Sequence, residues 1–399
     1  MASAVLYWVE KRSSMASIDH GVEGLLDRLV SFSSHSLHQI DLEEYFFIVK
    51  ELGKGGYGKV FLAKDRKTDH KMALKVVDKN RTSQQSFLRE FSISFLLSSH
   101  PNIIGCCGTA FTTTDHFVFA QELAPVGDLF SLIIPNVGIP EDSVKRCAVQ
   151  ISNALQFIAE KRVVHMDMKP ENILVFDQEC HCIKLTDFGF SGVKGTVIRN
   201  TVGSISYMAP EMCTMTTSDG LAINGSLDVW AFGVLIYCLL TGDLPWQVAM
   251  TNDEEYKSFV DWQNNFQMDS PPEAWRKVPT GIRRMFIDLL TPDYTKRSQS
   301  MEVLKYMSES WKEETPDSAT RKEDKNVLQS RSSVQPGESL REASDPNTSQ
   351  SSDSITSNLS NMSCFLSTET CGSQTEMTPE PQKDNMAETP IMFDDKFRM

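Results

Sequence analysis

The chain has 399 residues, 40% of them apolar, which suits one large domain with tails or two domains and is enough to build a core. Its 39 Lys and Arg against 53 Asp and Glu give a net charge of −14, which argues against a phosphate-backbone binder and excludes nucleic acid as an expected partner. The longest unbroken apolar run, Val229 to Leu240, falls short of the about twenty residues a bilayer span requires, so it reads as a buried helix and no membrane span is expected.

In chain order, Ala2 to Val9 is a short apolar run with no basic residues before it and no small-residue cleavage site, which leaves secretion unsupported; Met15 is a second candidate start. Residues 1–44 form an N-terminal extension, with one helical stretch in which Val22, Leu25, Leu26, Leu29 and Val30 recur at helix spacing. Three strand-like runs follow, Phe46 to Leu52, Lys59 to Lys64 and Lys71 to Asp78, and the short turns between them indicate an antiparallel sheet. A helix is expected from about Gln84 to Leu97, and beyond Asp142 helical patterns dominate, with Val144, Ala148, Ile151, Leu155 and Ile158 on one face. Composition changes sharply near Trp311. Residues 313–399 carry 24 Ser or Thr and 16 acids against 8 bases, too little apolar surface to offset the entropy of ordering, so this tail is expected to be disordered. The folded domain is therefore placed at residues 45–312. The nine cysteines are odd in number and scattered, and Cys180-His181-Cys182 has no second Cys/His pair at finger-like spacing. A reducing, cytoplasmic setting is expected.

Gly53-Lys54-Gly55-Gly56-Tyr57-Gly58 fits G-x-G-x-x-G, a pattern shared by dinucleotide-binding turns and phosphate-covering loops, and an ordinary hairpin turn would also carry it. In a dinucleotide fold the third glycine opens a helix, whereas Gly58 is followed by the strand-like Lys59-Val60-Phe61-Leu62-Ala63, which excludes a nucleotide-binding oxidoreductase. Lys75, in the next strand, is placed to reach phosphate oxygens beneath the glycines. Glu90 on the following helix is the candidate partner for Lys75, although a lone helical Glu is more often a solvated charge.

The most specific signal is His165-Met166-Asp167-Met168-Lys169-Pro170-Glu171-Asn172, joined by Asp187-Phe188-Gly189. Phosphoryl transfer needs hard oxygen ligands for magnesium, which Asn172 and Asp187 supply, and a carboxylate to accept the proton of the attacking hydroxyl, which is Asp167.

Residues from about Tyr45 to Trp311 thus resemble a eukaryotic protein kinase domain. The resemblance extends to Tyr207-Met208-Ala209-Pro210-Glu211, which looks like the close of an activation loop, to Asp228-Val229-Trp230-Ala231-Phe232-Gly233, which looks like the buried helix anchoring the catalytic loop, and to Arg297 as the partner of Glu211. It implies an α+β, bilobal kinase fold: a small antiparallel-sheet N-lobe with one long helix and a larger helical C-lobe. It also implies ATP as phosphoryl donor and magnesium as cofactor. The implied nucleotide contacts are Leu52, the loop Gly53, Lys54, Gly55, Gly56, Tyr57, Gly58 and Lys59, then Val60, Ala73 and Lys75, and on the far side Glu122, Ala124, Asp128 and Leu174, with Gln121 as gatekeeper. Asp167, Lys169, Lys75 and Glu90 are the implied catalytic group.

Lys169 and the Thr-like Ser204 match the serine/threonine form, with protein Ser and Thr hydroxyls as acceptors. The hinge and activation-loop wording around Phe119 to Pro125, Val175 to Asp177 and Lys184 to Gly189 is similar to the Src-homology-3-binding kinase family. That name implies a proline-rich ligand, yet the tail clusters only Pro379-Glu380-Pro381 and has no P-x-x-P. A tail-binding adaptor is a possible partner, with Pro390-Ile391-Met392-Phe393 as the most apolar end. Two positions depart from the pattern: Met166 replaces the usual arginine before the catalytic aspartate, and Ser94 stands where an apolar residue usually packs on Phe188. The rival reading, a pseudokinase scaffold acting through its tail, would be favoured by loss of Lys75, Asp167, Asn172 or Asp187, and all four are present.

Overall fold

Runs rich in β-branched and aromatic residues form the N-lobe sheet, in a computed structural model that describes residues 22–312 except Tyr57 and 266–269. The Ala2 to Val9 run, Tyr57 and the tail 313–399 therefore lie outside the described residues. The N-lobe contains helix α1 (Val22–His35), strand β1 (His38–Gln39), the short α2 (Leu42–Tyr45), strands β2 (Phe46–Lys54), β3 (Gly58–Asp65) and β4 (Lys71–Asp78), helix α3 (Gln84–Leu97), and strands β5 (Cys106–Thr112) and β6 (His116–Gln121). The strands make one sheet in the order β1-β5-β6-β4-β3-β2, antiparallel throughout except that β1 pairs parallel with β5. Asp65 makes the β3–β4 turn by accepting from the N–H groups of Lys67 and Thr68, and Ser83 caps α3 by accepting from Ser86 N.

Residues 22–44, read from the sequence as an extension, lie on this lobe. Leu26 is fully buried with Ile93 and Leu97 of α3, and Gln84 Nε2 donates to Ser34 Oγ at 3.1 Å. The lobe thus carries α1 beside α3, the long helix that the resemblance implied. Val30 likewise packs against the cluster that holds Phe87, Leu88 and Phe91 of α3.

In the C-lobe, β7 (Gly127–Asp128) leads to α4 (Glu141–Glu160), β8 (Val163–Val164), β9 (Ile173–Val175), β10 (Ile183–Leu185), β11 (Gly192–Val193), β12 (Val197–Ile198), α5 (Pro210–Cys213), β13 (Leu221–Ala222), α6 (Ser226–Thr241), α7 (Glu254–Asn265) and α8 (Thr280–Leu289). Helix α6 is buried along Leu227 to Thr241 and ends on Gly242, whose φ of +69° closes the left-handed cap. A helix buried all round has no solvent face, so it forms a pillar to which the surrounding loops are fastened. The ladder β7-β9-β10 follows directly on the loop of residues 165–172, since β9 begins at Ile173. No helix of the described residues is long and apolar enough to cross a membrane.

Candidate active site

Antiparallel register decides which side chains look into the cleft. Val60 lies opposite Lys75, and Ala73 is two residues before it, so Val60, Ala73 and Lys75 share one face of the sheet. Lys59 falls on the other face, with its ammonium 2.7 Å from Glu51 and 5.9 Å from the centre of the Phe61 ring. Of Lys59, only the backbone borders the cleft. On the opposing wall Leu174 is the half-exposed residue between buried Ile173 and Val175, so it turns upward from the C-lobe core.

The glycines of the loop separate into two kinds. A Cβ built on Gly53, Gly55 or Gly56 meets nothing within 4 Å, whereas one on Gly58 would come 2.1 Å from the Val76 carbonyl oxygen. Gly58 is required by the packing of β3 on β4. The other three leave unfilled space above Lys75, as a loop covering an anion needs.

Lys75 Nζ lies 2.5 Å from Glu90 Oε1 and 3.0 Å from Asp187 Oδ1, so strand β4, helix α3 and the loop after β10 meet at one ammonium. Burial alone would push the Asp187 carboxyl up, but Lys75 and the N–H of Gly189 hold it down at about 2. Its side chain still keeps 44% of its surface open to the cleft. Burial opposes the charge on Lys75, and Asp187 and Glu90 outweigh it and raise the amine. Glu90 is raised, because its burial outweighs the attraction of Lys75.

Asp167 is the centre of a second group. Asn172 Nδ2 donates to its Oδ2 at 2.8 Å and to its backbone carbonyl at 2.7 Å, Ser204 Oγ donates to Oδ1 at 2.9 Å, and Lys169 Nζ lies 3.1 Å from Oδ2 and 2.9 Å from Ser204 Oγ. With its amide nitrogen committed to Asp167, Asn172 has its carbonyl oxygen left for a hard cation. A Cβ at Gly203, where φ is +94°, would lie 2.3 Å from the Met166 carbonyl oxygen, so glycine there allows Ser204 to approach the catalytic loop.

The loop itself is fastened to α6. The buried Asp228 carboxylate accepts from His165 N at 2.7 Å and Met166 N at 2.8 Å, while His165 Nε2 bonds the Thr186 carbonyl oxygen at 2.9 Å. Met166 and Asp187 both have left-handed φ, +65° and +62°, a conformation maintained for non-glycine residues by such surrounding bonds. Phe188 is buried with its ring centre 5.0 Å from that of His165. Ser94 is buried, and its hydroxyl finds no hydrogen-bond partner. Farther out, Arg297 makes a two-pronged pair with Glu211 at 2.7 and 2.9 Å and lies over the Trp230 ring of α6.

At the back of the cleft Gln121 is buried. Glu122 donates its N–H to the Gly105 carbonyl oxygen at 2.8 Å, and its carboxylate is held by Lys184 at 2.6 Å, a pairing that the sequence reading did not include. Asp128 Oδ1 accepts from Ser131 N at 2.9 Å, which fixes the turn after the hinge. Ala124 lies between these two in the same connecting segment, partly exposed.

The family profile described as "Protein kinase domain" matches residues 46–307. The chain is 44% identical over 287 residues to "Serine/threonine-protein kinase SBK1" of Danio rerio, covering 72% of this chain and 74% of that one. It is 37% identical over 290 residues to "Serine/threonine-protein kinase SBK2" of Rattus norvegicus, with 72% and 80% covered. It is 35% identical over 272 residues to "Serine/threonine-protein kinase meng-po" of Drosophila melanogaster, with 68% and 59% covered. The bilobal fold, the cleft and these likenesses agree: the chain belongs to the protein kinases, as a serine/threonine kinase of the Src-homology-3-binding kinase family.

Proposed function

We propose that Asp167 is the base, Lys169 the cation on the transferred phosphoryl group, and Lys75, positioned by Glu90, the cation on the ATP phosphates. The observation that supports this most directly is the chain of bonds Lys169–Ser204–Asp167–Asn172, which aims one carboxylate and one ammonium at the same point of the cleft. Asp167 accepts the proton of a protein Ser or Thr hydroxyl as its oxygen bonds to the γ-phosphorus. The bond from that phosphorus to the β–γ bridging oxygen breaks, and ADP leaves with the electron pair. Lys169 and Lys75 stabilise charge on the phosphoryl oxygens, and the arrangement is fixed before substrate arrives. Adenine is placed between Leu52, Val60 and Ala73 above and Leu174 below, with Glu122 and Ala124 at its edge, Asp128 at the ribose, and the backbone of Gly53, Lys54, Gly55, Gly56, Gly58 and Lys59 over the phosphates. The open space at Gly53, Gly55 and Gly56 and the free oxygens of Asn172 and Asp187 fit a magnesium nucleotide. Magnesium held by Asn172 and Asp187 would neutralise phosphate charge.

Peptides with basic residues before the acceptor are the proposed substrates. Partial burial raises the Glu171 carboxyl against the pull of Lys169, and the charges of Asp128 and Asp167 add to that rise, so three carboxylates lie within reach of one another beside the base. The cytoplasm is the proposed location.

The test is phosphorylation of a degenerate Ser/Thr peptide library with labelled ATP and magnesium. Wild type is expected to transfer label, and Asp187→Ala and Asp167→Asn to fall to background while melting as cooperatively as wild type. Transfer at wild-type rate by either variant would refute the roles. Selection of acidic or proline-directed peptides would refute the substrate preference alone.

A further inference from the structure

The N-lobe contains a second cavity, of about 570 Å³, whose lining includes none of Lys75, Glu90, Asp167 and Lys169. Its walls are the C-terminal half of α1, with Leu29 and Phe32, the α3 residues Phe91 and Phe95, and the start of β5 at Cys107. Beside this cavity β5 departs from regular pairing with β6 between Cys106 and Ala110. The volume is within the range of ordinary ligand sites, but the lining includes neither Lys nor Arg. Its one carboxylate, Asp65, is engaged by Thr68 and Lys67 in the β3–β4 turn. The imidazole of His38 and the hydroxyls of Ser33, Ser36, Tyr45 and Thr109 complete a lining that is mostly apolar. Phe32, 45% exposed, borders this lining.

We infer that the cavity is the docking site of this chain's own segment Val5-Leu6-Tyr7-Trp8-Val9. That run leads directly into the helix that forms one wall. Between Val9 and Val22 the chain can extend roughly 40 Å, and the 14 residues of α1 measure only about 21 Å, so the run can fold back past the whole helix to Phe32. So short a tether gives an effective concentration near the millimolar range. The apolar tail segments Cys364 to Leu366 and Pro390 to Phe393 are tethered through several-fold longer stretches beginning at Lys312, and each doubling of a loop costs about 0.6 kcal/mol more to close. Two aromatic and three aliphatic side chains match the Phe and Leu lining in kind. Docking braces α1 against α3, the helix that bears Glu90. This consequence rests on the role proposed for Lys75 and Glu90, whereas the docking itself does not.

Two measurements on the full chain read the docking without using activity. In Trp8→p-benzoylphenylalanine, illumination is expected to cross-link position 8, within one chain, to peptides containing Phe32 to Ser36 or Phe95 to Thr109. In Leu6→Ser/Trp8→Ser, alkylation of Cys107 by iodoacetamide, followed by peptide mass, is expected to accelerate about tenfold, the equivalent of roughly 1.4 kcal/mol of lost docking. Cross-links joining two chains would assign the cavity to a second copy. Cross-links elsewhere in the chain, or an unchanged Cys107 rate, would assign it to a tail segment or a free apolar molecule. Each of these results overturns the proposal. Loss of kinase activity with cross-links and Cys107 protection intact would bear on Glu90 and leave the docking standing.

Discussion

Lys75 and Glu90 meet at 2.5 Å, joining the central strand of the N-lobe to the helix that α1 covers, and Asp187 approaches the same ammonium from the other lobe at 3.0 Å. The two carboxylates have opposite linkage to folding. Asp187, lowered from 3.8 to about 2, contributes stability that is present above its unfolded value and lost as pH falls toward 2. Glu90, raised above 4.5 by burial, costs stability while ionised, and that cost is relieved as pH falls through its folded value. Between pH 7 and 3, Asp187→Asn is therefore expected to flatten the acid loss of Tm, and Glu90→Gln to steepen it, relative to wild type. The same slope in all three proteins would contradict the electrostatic account.

Gly56→Ala and Gly58→Ala should separate nucleotide binding from folding. The first meets no neighbour and is expected to leave Tm unchanged while raising KM for ATP several-fold. The second drives a Cβ into the Val76 carbonyl oxygen and is expected to cost about 1–3 kcal/mol in denaturant unfolding. Equal effects of both on Tm would argue against this division.

Activity is expected to proceed without phosphorylation of the activation loop. Where an arginine precedes the catalytic aspartate it can grip a loop phosphate; Met166 cannot, and its backbone is already held by Asp228. Arg199, the arginine within the loop, donates to the carbonyl oxygens of Thr217 and Ser218 at 3.1 and 2.7 Å, and β12 pairs with β13, so the loop is ordered by unmodified contacts. Thr196→Ala, Thr201→Ala and phosphatase-treated wild type should each stay within about tenfold of the untreated rate, or roughly 1.4 kcal/mol of barrier. A larger fall in any of them would show that modification is required.

Trp311, near the C-terminal end of the described residues, is buried, donates from Nε1 to the Tyr306 carbonyl oxygen at 2.8 Å and lies beneath Lys145. Lys312 N donates to Glu141 Oε2 at 3.0 Å. A chain ending at Lys312 is expected to melt with the full chain, and one ending at Ser310 to lose about 3–5 kcal/mol. A markedly lower Tm for the chain ending at Lys312 would show that the tail contributes to folding.

The sequence by itself determined the elements and the chemistry. Strands β2, β3 and β4, helix α3 and the buried α6 follow from residue type and period within short windows, and Asp167, Lys169, Asn172 and Asp187 stand in a motif whose spacing is local. Tertiary structure alone decided the relationships. Lys184 and Glu122 are 62 residues apart, as are Asp228 and Met166, and neither pair leaves a periodic trace. The parallel strand β1 spans two residues, too few for a pattern, and it forms because β5 offers an open edge. The roles of the glycines were equally hidden, since G-x-G-x-x-G is one string, while the space around each Cα is set by whichever strand packs against it: Val76 beside Gly58, nothing beside Gly53, Gly55 and Gly56. Patterns within a chain record what each element must bury. Which surface buries it, and which distant charge meets which, is fixed only when the elements pack.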